Sequence, residues 1–383
     1  MSRSSRRSIT RIGAGILSVG VAVSAWALAA RQSAGAITIG VITPLTGDVA
    51  SWGAMQRNST EMALDEINSG GGIGGRKVRV IYEDDQATPK IGVTVFTKLA
   101  TVDKVPLVVG APASGVTLAV APVANRTQTV LLSSGSTATA VAQAGPYVFR
   151  FMPSDEMQSA IMANWARELG FKRVAVLYVR NAWGTGLQQA FQPAFTKLGG
   201  VITTSQGMAV EDTDFRAVLT KIAADSPDAV FAPLYTRAAG LMVRQAKELG
   251  LNFQILGADV YETPEFIEVA GQAAEGVLFT RFGQYNGAEY QAFAKAYRQR
   301  FQTEPAAYAG YCYDAMKIAF TALRQLTSGE YTGPAIREQL LNIRDFHGVT
   351  GLTDFNGSTS ASGKVFDRLV VKNGKNVPWT AKN

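Results

Sequence analysis

Short apolar runs alternate with longer amphipathic segments along most of the chain. Residues 37–42 are apolar and β-branched, and residues 52–68 carry apolar side chains at helical spacing on one side. Repetition of this pattern predicts βαβ units, in which helices cover both faces of a parallel sheet. The predicted strands are 37–42, 77–82, 105–109, 128–132, 173–178, 201–204, 229–232 and 253–256. The predicted helices are 52–68, 89–101, 114–124, 154–169, 184–198, 213–224 and 236–249.

The C-terminal part of the chain has a different pattern. Residues 288–301, 306–326 and 334–343 have helical spacing, and residues 363–377 predict a hairpin with Asn373-Gly374 at its turn. Together with this hairpin, the predicted strands exceed what one twisted sheet holds comfortably. The sequence therefore predicts an α/β protein with two doubly wound parallel-sheet lobes.

Residues 1–36 have the pattern of an export signal. Arginines precede residue 12, residues 12–30 are apolar and uncharged, and small residues at 34–36 favour cleavage before Ile37. An uncharged run of this length could also be a retained membrane anchor. The pair Arg6-Arg7 fits a twin-arginine signal and, equally, the basic segment of an ordinary secretory (Sec) signal. We therefore expect a protein of the periplasm, with the export route left open.

Cleavage before Ile37 changes what charge and cysteine content imply. The formal net charge of the whole sequence is +7, and the removed segment holds five arginines and no acid, which leaves +2. The sequence pI of 9.4 therefore gives no reason to expect nucleic acid as a partner. Cys312 is the only cysteine, which excludes an intramolecular disulfide, and its aromatic neighbours indicate packing rather than nucleophilic chemistry.

The usual parts of a catalytic or metal site are missing from the sequence. His347 is the single histidine, and we expect it in a turn because no G-x-S-x-G motif accompanies it. One histidine and one cysteine are too few for a zinc site. The acids at 83–85 could bind a metal ion, although a solvated strand end is the interpretation we favour. We therefore expect no enzymatic activity, no cofactor and no metal.

A glycine-rich run at residues 70–75 looks at first like a phosphate-binding loop. Such a loop needs its glycines after a strand and before a helix, so that the helix N-terminus meets the phosphate. Here the glycines follow a predicted helix and precede a predicted strand. We therefore expect the end of a helix and a turn.

Several segments resemble one family of exported receptors. Residues 39–47, IGVITPLTG, and the following Ser51-Trp52-Gly53 closely resemble the start of the periplasmic leucine/isoleucine/valine-binding proteins. The similarity continues at 65–73, 82–85, 89–90, 109–110 and 244–246, and it spans essentially all of 37–383. On these motifs the chain is identified as a member of the branched-chain amino-acid-binding family of ABC transporter solute receptors.

The resemblance implies a type I periplasmic binding fold, with two lobes joined by three crossover segments and the ligand between them. We place the crossovers near 152–155, 279–282 and 354–355. Closure on the ligand would then be a hinge motion. The expected parts are a signal peptide at 1–36, an N-terminal lobe of 37–153 plus 282–354, and a C-terminal lobe of 154–281 plus 355–383.

The resemblance also implies a site for an α-amino acid. Ser114, Gly135 and Thr137 match the positions that hold the ligand carboxylate, and Ser136, in the same loop, is also expected to bind the ligand. Asp259 matches the acid that pairs with the ligand ammonium. The matching aromatic positions are Trp52, Trp183, Tyr235 and Tyr308, with Tyr311 as an alternative to Tyr308. The competing interpretations are a helix-capping loop at 133–137 and a solvated loop at Asp259.

Four positions depart from the family pattern. Ala87 and Ala113 stand where the family usually carries a disulfide, and Pro112-Ala113 replaces the aliphatic–cysteine pair before the binding serine. Asp259 stands where a well-known member has glutamate, which moves the charge by one methylene. These departures leave the side-chain pocket, and with it the identity of the ligand, open.

The sequence thus predicts an exported, monomeric, non-enzymatic receptor that binds a small amino acid, branched or aliphatic, and delivers it to a membrane ABC permease. The first alternative keeps the fold and role but takes an aromatic carboxylate or a small amide or urea-like compound. A ligand-sensing regulator is a second alternative, against which the leader argues. A hydrolase is the third, against which the missing nucleophile–base pair argues.

Overall fold

The computed structural model describes residues 35–283, 286–327 and 329–380. Residues 1–34, which hold almost all of the expected signal peptide, lie outside the described residues. The strands are β1 (Ile37–Thr43), β2 (Val78–Asp84), β3 (Leu107–Gly110), β4 (Val130–Ser133), β5 (Val148–Arg150), β6 (Arg173–Val179), β7 (Val201–Met208), β8 (Ala229–Phe231), β9 (Gln254–Gly257), β10 (Leu278–Phe282), β11 (Phe346–Gly348), β12 (Gly351–Thr353), β13 (Phe366–Lys372) and β14 (Lys375–Pro378). The α-helices are α1 (Ala50–Ser69), α2 (Pro89–Thr101), α3 (Ser114–Thr127), α4 (Asp155–Glu168), α5 (Ala182–Lys197), α6 (Arg216–Ala224), α7 (Thr236–Glu248), α8 (Pro264–Ala270), α9 (Ala288–Phe301), α10 (Ala307–Gln325) and α11 (Gly333–Leu341).

The first lobe is built on a parallel sheet with the strand order β2-β1-β3-β4-β5. Strands β3 and β4 are buried over their whole length, as strands covered by helices on both faces must be. The C-terminal helices α9, α10 and α11 contribute to the same hydrophobic core as β1 and α1. The chain therefore returns to the first lobe after β10.

The second lobe is built on a seven-stranded sheet with the order β14-β13-β10-β9-β8-β6-β7. Its strands β6 to β10 are parallel, and β13 and β14 add an antiparallel hairpin at one edge. Asn373 and Gly374 both have positive φ, 52° and 66°, as the predicted two-residue turn requires. This lobe has its own hydrophobic core. The predicted fold of two α/β lobes is thus confirmed.

Several elements differ from the sequence-based expectation. Strand β7 is longer than predicted, and the short elements β5, β10 and α8 were not predicted, because runs this short carry little periodicity. The expectation that His347 lies in a turn is wrong. His347 lies in β11 and pairs with Leu352 of β12 in a small antiparallel hairpin. Within the described residues, no helix is long and apolar enough to cross a membrane.

The chain after β12 stays at the edge of the first sheet beyond residues 354–355, where the third crossover was expected. The backbone N–H of Arg150 donates to the carbonyl of Thr359 at 2.8 Å, and that of Ala361 donates to the carbonyl of Arg150 at 2.9 Å. This segment therefore still lines the edge of the first sheet, beside β5. The chain then reaches Phe366, where β13 pairs with β10 in the second sheet. Backbone pairing of an irregular segment leaves no mark in the hydrophobic pattern, so this pairing could not be predicted from the sequence.

The glycine-rich run at 70–75 ends a helix, as predicted. Helix α1 ends at Ser69, and the N–H of Gly72 donates to the carbonyl of Ile67 at 2.8 Å. Gly71 and Gly72 both have positive φ, 93° and 78°. Such left-handed residues satisfy the last carbonyls of a helix. The run therefore has a structural role in the turn that leads into β2.

Replacing Gly72 with alanine is expected to destabilise the protein strongly. A Cβ at Gly72 would stand 2.0 Å from the carbonyl oxygen of Arg76, whereas a Cβ at Gly71 would meet nothing within 4 Å. Gly71→Ala should therefore cost only about 1 kcal/mol for its left-handed backbone, and Gly72→Ala about 3 kcal/mol or more. Urea unfolding of both variants measures the difference. Equal losses would contradict the close contact at Gly72.

Candidate ligand-binding site

A cavity lies between the two lobes, at the carboxyl ends of parallel strands from both sheets. The empty space between its lining residues is about 570 Å³, which includes space open to solvent. Open α/β sheets characteristically bind ligands at this edge. Eight of the nine residues expected at the site line the cavity. These are Trp52, Ser114, Gly135, Thr137, Trp183, Tyr235, Asp259 and Tyr308.

One wall of the cavity presents hydroxyl groups and a helix N-terminus. Ser114 is the first residue of α3 and is 2% exposed, and Thr137 is 1% exposed. The first backbone N–H groups of a helix have no partner within the helix, and the helix dipole adds a partial positive charge there. The Ser114 hydroxyl accepts a bond from the N–H of Ala138 at 3.3 Å, which ties α3 to the loop after β4. This wall is suited to an anionic group.

The loop after β4 is held by a close approach at Gly135. A Cβ at Gly135 would lie 2.5 Å from Cβ and 2.7 Å from Cα of Pro112, so only glycine fits against the loop that precedes α3. Ser136, which was also expected at the site, does not line the cavity. Its hydroxyl contacts Thr117 Oγ1 at 2.7 Å and donates to the carbonyl of Ala111 at 3.0 Å. These contacts therefore hold the loop after β4 in place without facing the cavity.

A second polar group in the cavity wall, apart from the hydroxyl groups of Ser114 and Thr137, is the carboxylate of Asp259. This residue is 7% exposed. Asp259 follows β9 and begins a short 3₁₀ turn. Burial raises its pKa to about 6, against the lowering effect of a bond from Gln158, whose Nε2 donates to Oδ1 at 2.9 Å. A buried carboxylate in the wall of a cavity is suited to a cationic group.

Three aromatic rings cross the cavity from one lobe to the other. Trp52 lies on α1 of the first lobe, and its ring meets that of Tyr235 edge-on with centroids 5.3 Å apart. Tyr235, just before α7, stacks on Trp183 of α5 at 5.4 Å. A hydrogen bond from the Ser51 hydroxyl to Glu265 at 3.2 Å also joins the lobes. The lobes are thus closed on each other around the cavity.

Sequence reasoning missed a second acid in the wall, Glu262. It lies three residues after Asp259, on the same 3₁₀ turn, and its carboxylate accepts the first N–H of α10, that of Ala307, at 3.1 Å. Arg281 pairs with it at 3.2 Å and with Asp367 at 3.2 Å, so one guanidinium serves two carboxylates and offsets the charge of Glu262 in part. Burial raises the pKa of Glu262, and Arg281 opposes that rise. Its spacing of three residues from Asp259 was the feature of the sequence that could have indicated Glu262 as a site residue.

The remaining lining residues that were not expected at the site are mostly apolar. Met55, Val260 and Phe282 could not be assigned from the pattern, because each depends on how the lobes come together. The others are Pro112, Ala113, Thr263 and Ala306. No group of acids, cysteines and histidines among the described residues could hold a metal ion. Cys312 is fully buried, and burial raises the pKa of its thiol far above the ordinary range.

Comparisons with known proteins agree with this architecture. A family model described as "Periplasmic binding protein" matches residues 36–365. The chain is 34% identical to the Leu/Ile/Val-binding protein BraC3 of Rhizobium johnstonii over 246 residues. The matched region is 64% of this chain and 67% of the relative. The crystal structure of the leucine binding protein LivK from Thermotoga maritima is similar with a TM-score of 0.82 and 30% identity, over 90% of this chain and 98% of that one.

A second solved structure is LivJ, a branched-chain amino acid transporter substrate binding protein from Streptococcus pneumoniae in complex with isoleucine. It is 29% identical with a TM-score of 0.82, over 89% of this chain and 97% of that one. Two α/β lobes that close over a cavity at their strand ends define a solute-binding protein with the type I periplasmic binding fold. The chain belongs to the family of periplasmic binding proteins.

Proposed function

We propose that this protein is an exported receptor for a small α-amino acid with an aliphatic side chain, branched-chain amino acids above all. The ligand carboxylate binds Ser114, Gly135 and Thr137, and the ligand ammonium pairs with Asp259. The ligand side chain lies against the apolar and aromatic wall. The receptor closes on the ligand and passes it to a membrane ABC permease, without chemical change to the ligand.

The distribution of charge around the cavity is the observation that carries this proposal. Asp259 and Glu262 are the charged residues of the lining, and neither lysine nor arginine lines it in the part of the chain that the structure describes. A carboxylate must therefore be held by neutral donors and the N-terminus of α3, while an ammonium finds the uncompensated charge of Asp259. A zwitterion satisfies both ends at once.

The same cavity wall suits an aromatic carboxylate less well than it suits an amino acid. A simple carboxylate would use the donors near Ser114 but would leave Asp259 buried beside an anion, which is costly. Such a ligand would need Asp259 in its protonated form. An amide or urea-like ligand avoids this repulsion and stays the stronger competitor.

The division of the molecule follows from the two sheets. We propose an N-terminal lobe of 37–153 plus 283–361 and a C-terminal lobe of 154–282 plus 366–380, with residues 362–365 as the third crossover. The hydrogen bonds that hold 359–361 to Arg150 support the revised boundary. We propose that the protein works as a monomer in the periplasm, because the ligand site is complete within one chain.

A thermal-shift screen of residues 37–383 tests the proposed ligand class. The protein is first unfolded and refolded to remove any carried ligand, then heated with amino acids, aromatic acids and small amides. A ligand that binds only the folded protein stabilises it by about 2.7 kcal/mol at a hundredfold excess over Kd. We expect the melting temperature to rise with leucine, isoleucine or valine. A rise with aromatic acids or amides alone would contradict the proposal.

Ligand affinity is expected to fall in acid. An ammonium pairs with the ionised carboxylate, and the pKa of Asp259 is about 6. As pH falls through that value the carboxylate is protonated, so Kd should rise towards tenfold per pH unit below it and stay constant above it. Titration calorimetry with L-leucine between pH 4.5 and 8 would measure the profile. A Kd that stays flat down to pH 4.5 would contradict a direct ammonium–Asp259 pair.

A further inference from the structure

The first turn of α4 lies directly behind the polar ends of the cavity. Ser154 caps this helix, because its hydroxyl accepts from the N–H of Met157. The N–H of Asp155 donates to the carbonyl of Thr137 at 3.0 Å. Asp155 and Gln158 are three residues apart and so share one face of the helix. The turn therefore connects the hydroxyl wall of the first lobe with the acid of the second.

Gln158 makes the contact on the acidic side. Its side chain is fully buried, and its Nε2 donates both to Asp259 Oδ1 at 2.9 Å and to Thr280 Oγ1 of β10 at 2.8 Å. Gln158 is not among the residues that line the cavity. With Oδ1 held from behind, the Asp259 carboxylate is fixed in rotation and has its other oxygen to offer a ligand. A group with this placement acts on the ligand only through Asp259.

The groups around Asp259 make the hydrogen bond from Gln158 important for its ionisation. Asp155 is fully buried, and the Thr137 hydroxyl favours its ionised form by hydrogen bonding. Burial raises the pKa of both Asp155 and Asp259. The charge of Asp259 further disfavours a negative charge on Asp155, and the charge of Glu262 disfavours one on Asp259. Gln158 opposes this effect at Asp259 more strongly than the backbone N–H of Asp259 itself does.

We propose that Gln158 is the positioning residue of the amine subsite, which orients Asp259 and keeps it ionised for the ammonium of the ligand. This inference rests on the amino-acid function proposed above. It extends the site by a residue that touches no ligand atom, and it makes the first turn of α4 part of ligand selection. A ligand without a cationic group gains nothing from this arrangement.

Gln158→Met keeps the length of the side chain and removes the donor. A hydrogen bond to a charged group is worth enough that Kd for L-leucine at pH 7 should rise roughly tenfold to a hundredfold. The pH at which affinity begins to fall should also move upward, because Asp259 loses the bond that favours its ionised form. Calorimetric titration with L-leucine across pH 5 to 8 measures both effects.

Gln245→Met is the matched control. Gln245 is also buried, donates to the carbonyl of Thr213 at 2.8 Å and accepts from the N–H of Phe215, but it lies on α7 away from Asp259. It should lower the melting temperature and leave both Kd and its pH midpoint unchanged. Thr280→Val serves as a second test if Gln158→Met does not fold, because it frees the amide of Gln158 and should shift the midpoint in the same direction by less.

The outcomes separate this inference from the function on which it rests. Folded Gln158→Met with unchanged leucine affinity and an unchanged pH midpoint would overturn the role of Gln158 while leaving the amino-acid function intact. A loss of affinity with no movement of the midpoint, matched by Gln245→Met, would show general destabilisation and also overturn it. Failure of the wild-type protein to bind leucine, isoleucine or valine would overturn the proposed function itself.

Discussion

Asp259→Asn is expected to remove nearly all affinity for amino acids. The substitution keeps the size of the side chain but leaves the ligand ammonium buried opposite a neutral amide, in a cavity whose walls are otherwise mostly apolar. Truncating one partner of a buried charge pair costs about 2–5 kcal/mol, which is roughly a 30-fold to several thousandfold rise in Kd. Titration calorimetry with L-leucine at pH 7 gives the ratio directly.

The same variant separates an amino acid from a simple acid as ligand. 4-Methylpentanoate has the carboxylate and side chain of leucine without the ammonium, so its affinity should stay the same or improve when Asp259 is neutralised. Asp225→Asn, at an exposed position after α6, is the matched control and should change neither affinity. If Asp259→Asn bound leucine as tightly as the wild type, Asp259 would not be the ammonium partner.

Gly135→Ala is expected to damage the other end of the site. The added Cβ would overlap Pro112 at 2.5 Å, so the loop after β4 must move away from the N-terminus of α3. Donors at Gly135 and Thr137 would then no longer converge with Ser114. Loss of one or two bonds to a charged carboxylate predicts a rise in Kd of roughly tenfold to more than a hundredfold.

Gly115→Ala is the matched control for this prediction. Gly115 lies in the first turn of α3, and a Cβ there would meet only Pro89 at an ordinary 3.6 Å. It should therefore leave binding unchanged, and alanine is also the better helix former. Gly135→Ala should weaken leucine and 4-methylpentanoate alike, in contrast to Asp259→Asn. Equal affinity of Gly135→Ala and wild type for leucine would contradict the assignment of the carboxylate end.

Much of the fold could be predicted because the strand–helix alternation is strong. Parallel strands separated by helices bring their carboxyl ends to one edge, so residues just after strands, such as Ser114, Trp183 and Asp259, are brought together. The hairpin was predictable from Asn373-Gly374, because few other dipeptides accept positive φ at both positions. These features depend on local chemistry and on the handedness of βαβ units.

The rest of the site depends on contacts that local pattern does not encode. Gln158 reaches Asp259 across 101 positions of sequence, and Glu262 reaches Ala307 across 45. Ser136 looked equivalent to its neighbours in a polar loop, yet its hydroxyl turns inward because Ala111 and Thr117 offer it partners. The pairing of residues 359–361 with Arg150 could not be predicted for the same reason, since it is made by backbone bonds between distant parts of the chain.

Titration calorimetry of the refolded protein with L-leucine, L-isoleucine and L-valine, beside 4-methylpentanoate and benzoate, shows which class of ligand the cavity takes. We expect one-to-one binding of at least one of the three amino acids, with Kd rising as pH falls below about 6. Neither simple acid should bind as tightly at pH 7. Tight binding of benzoate or 4-methylpentanoate without binding of any of the three amino acids would contradict an amino-acid site.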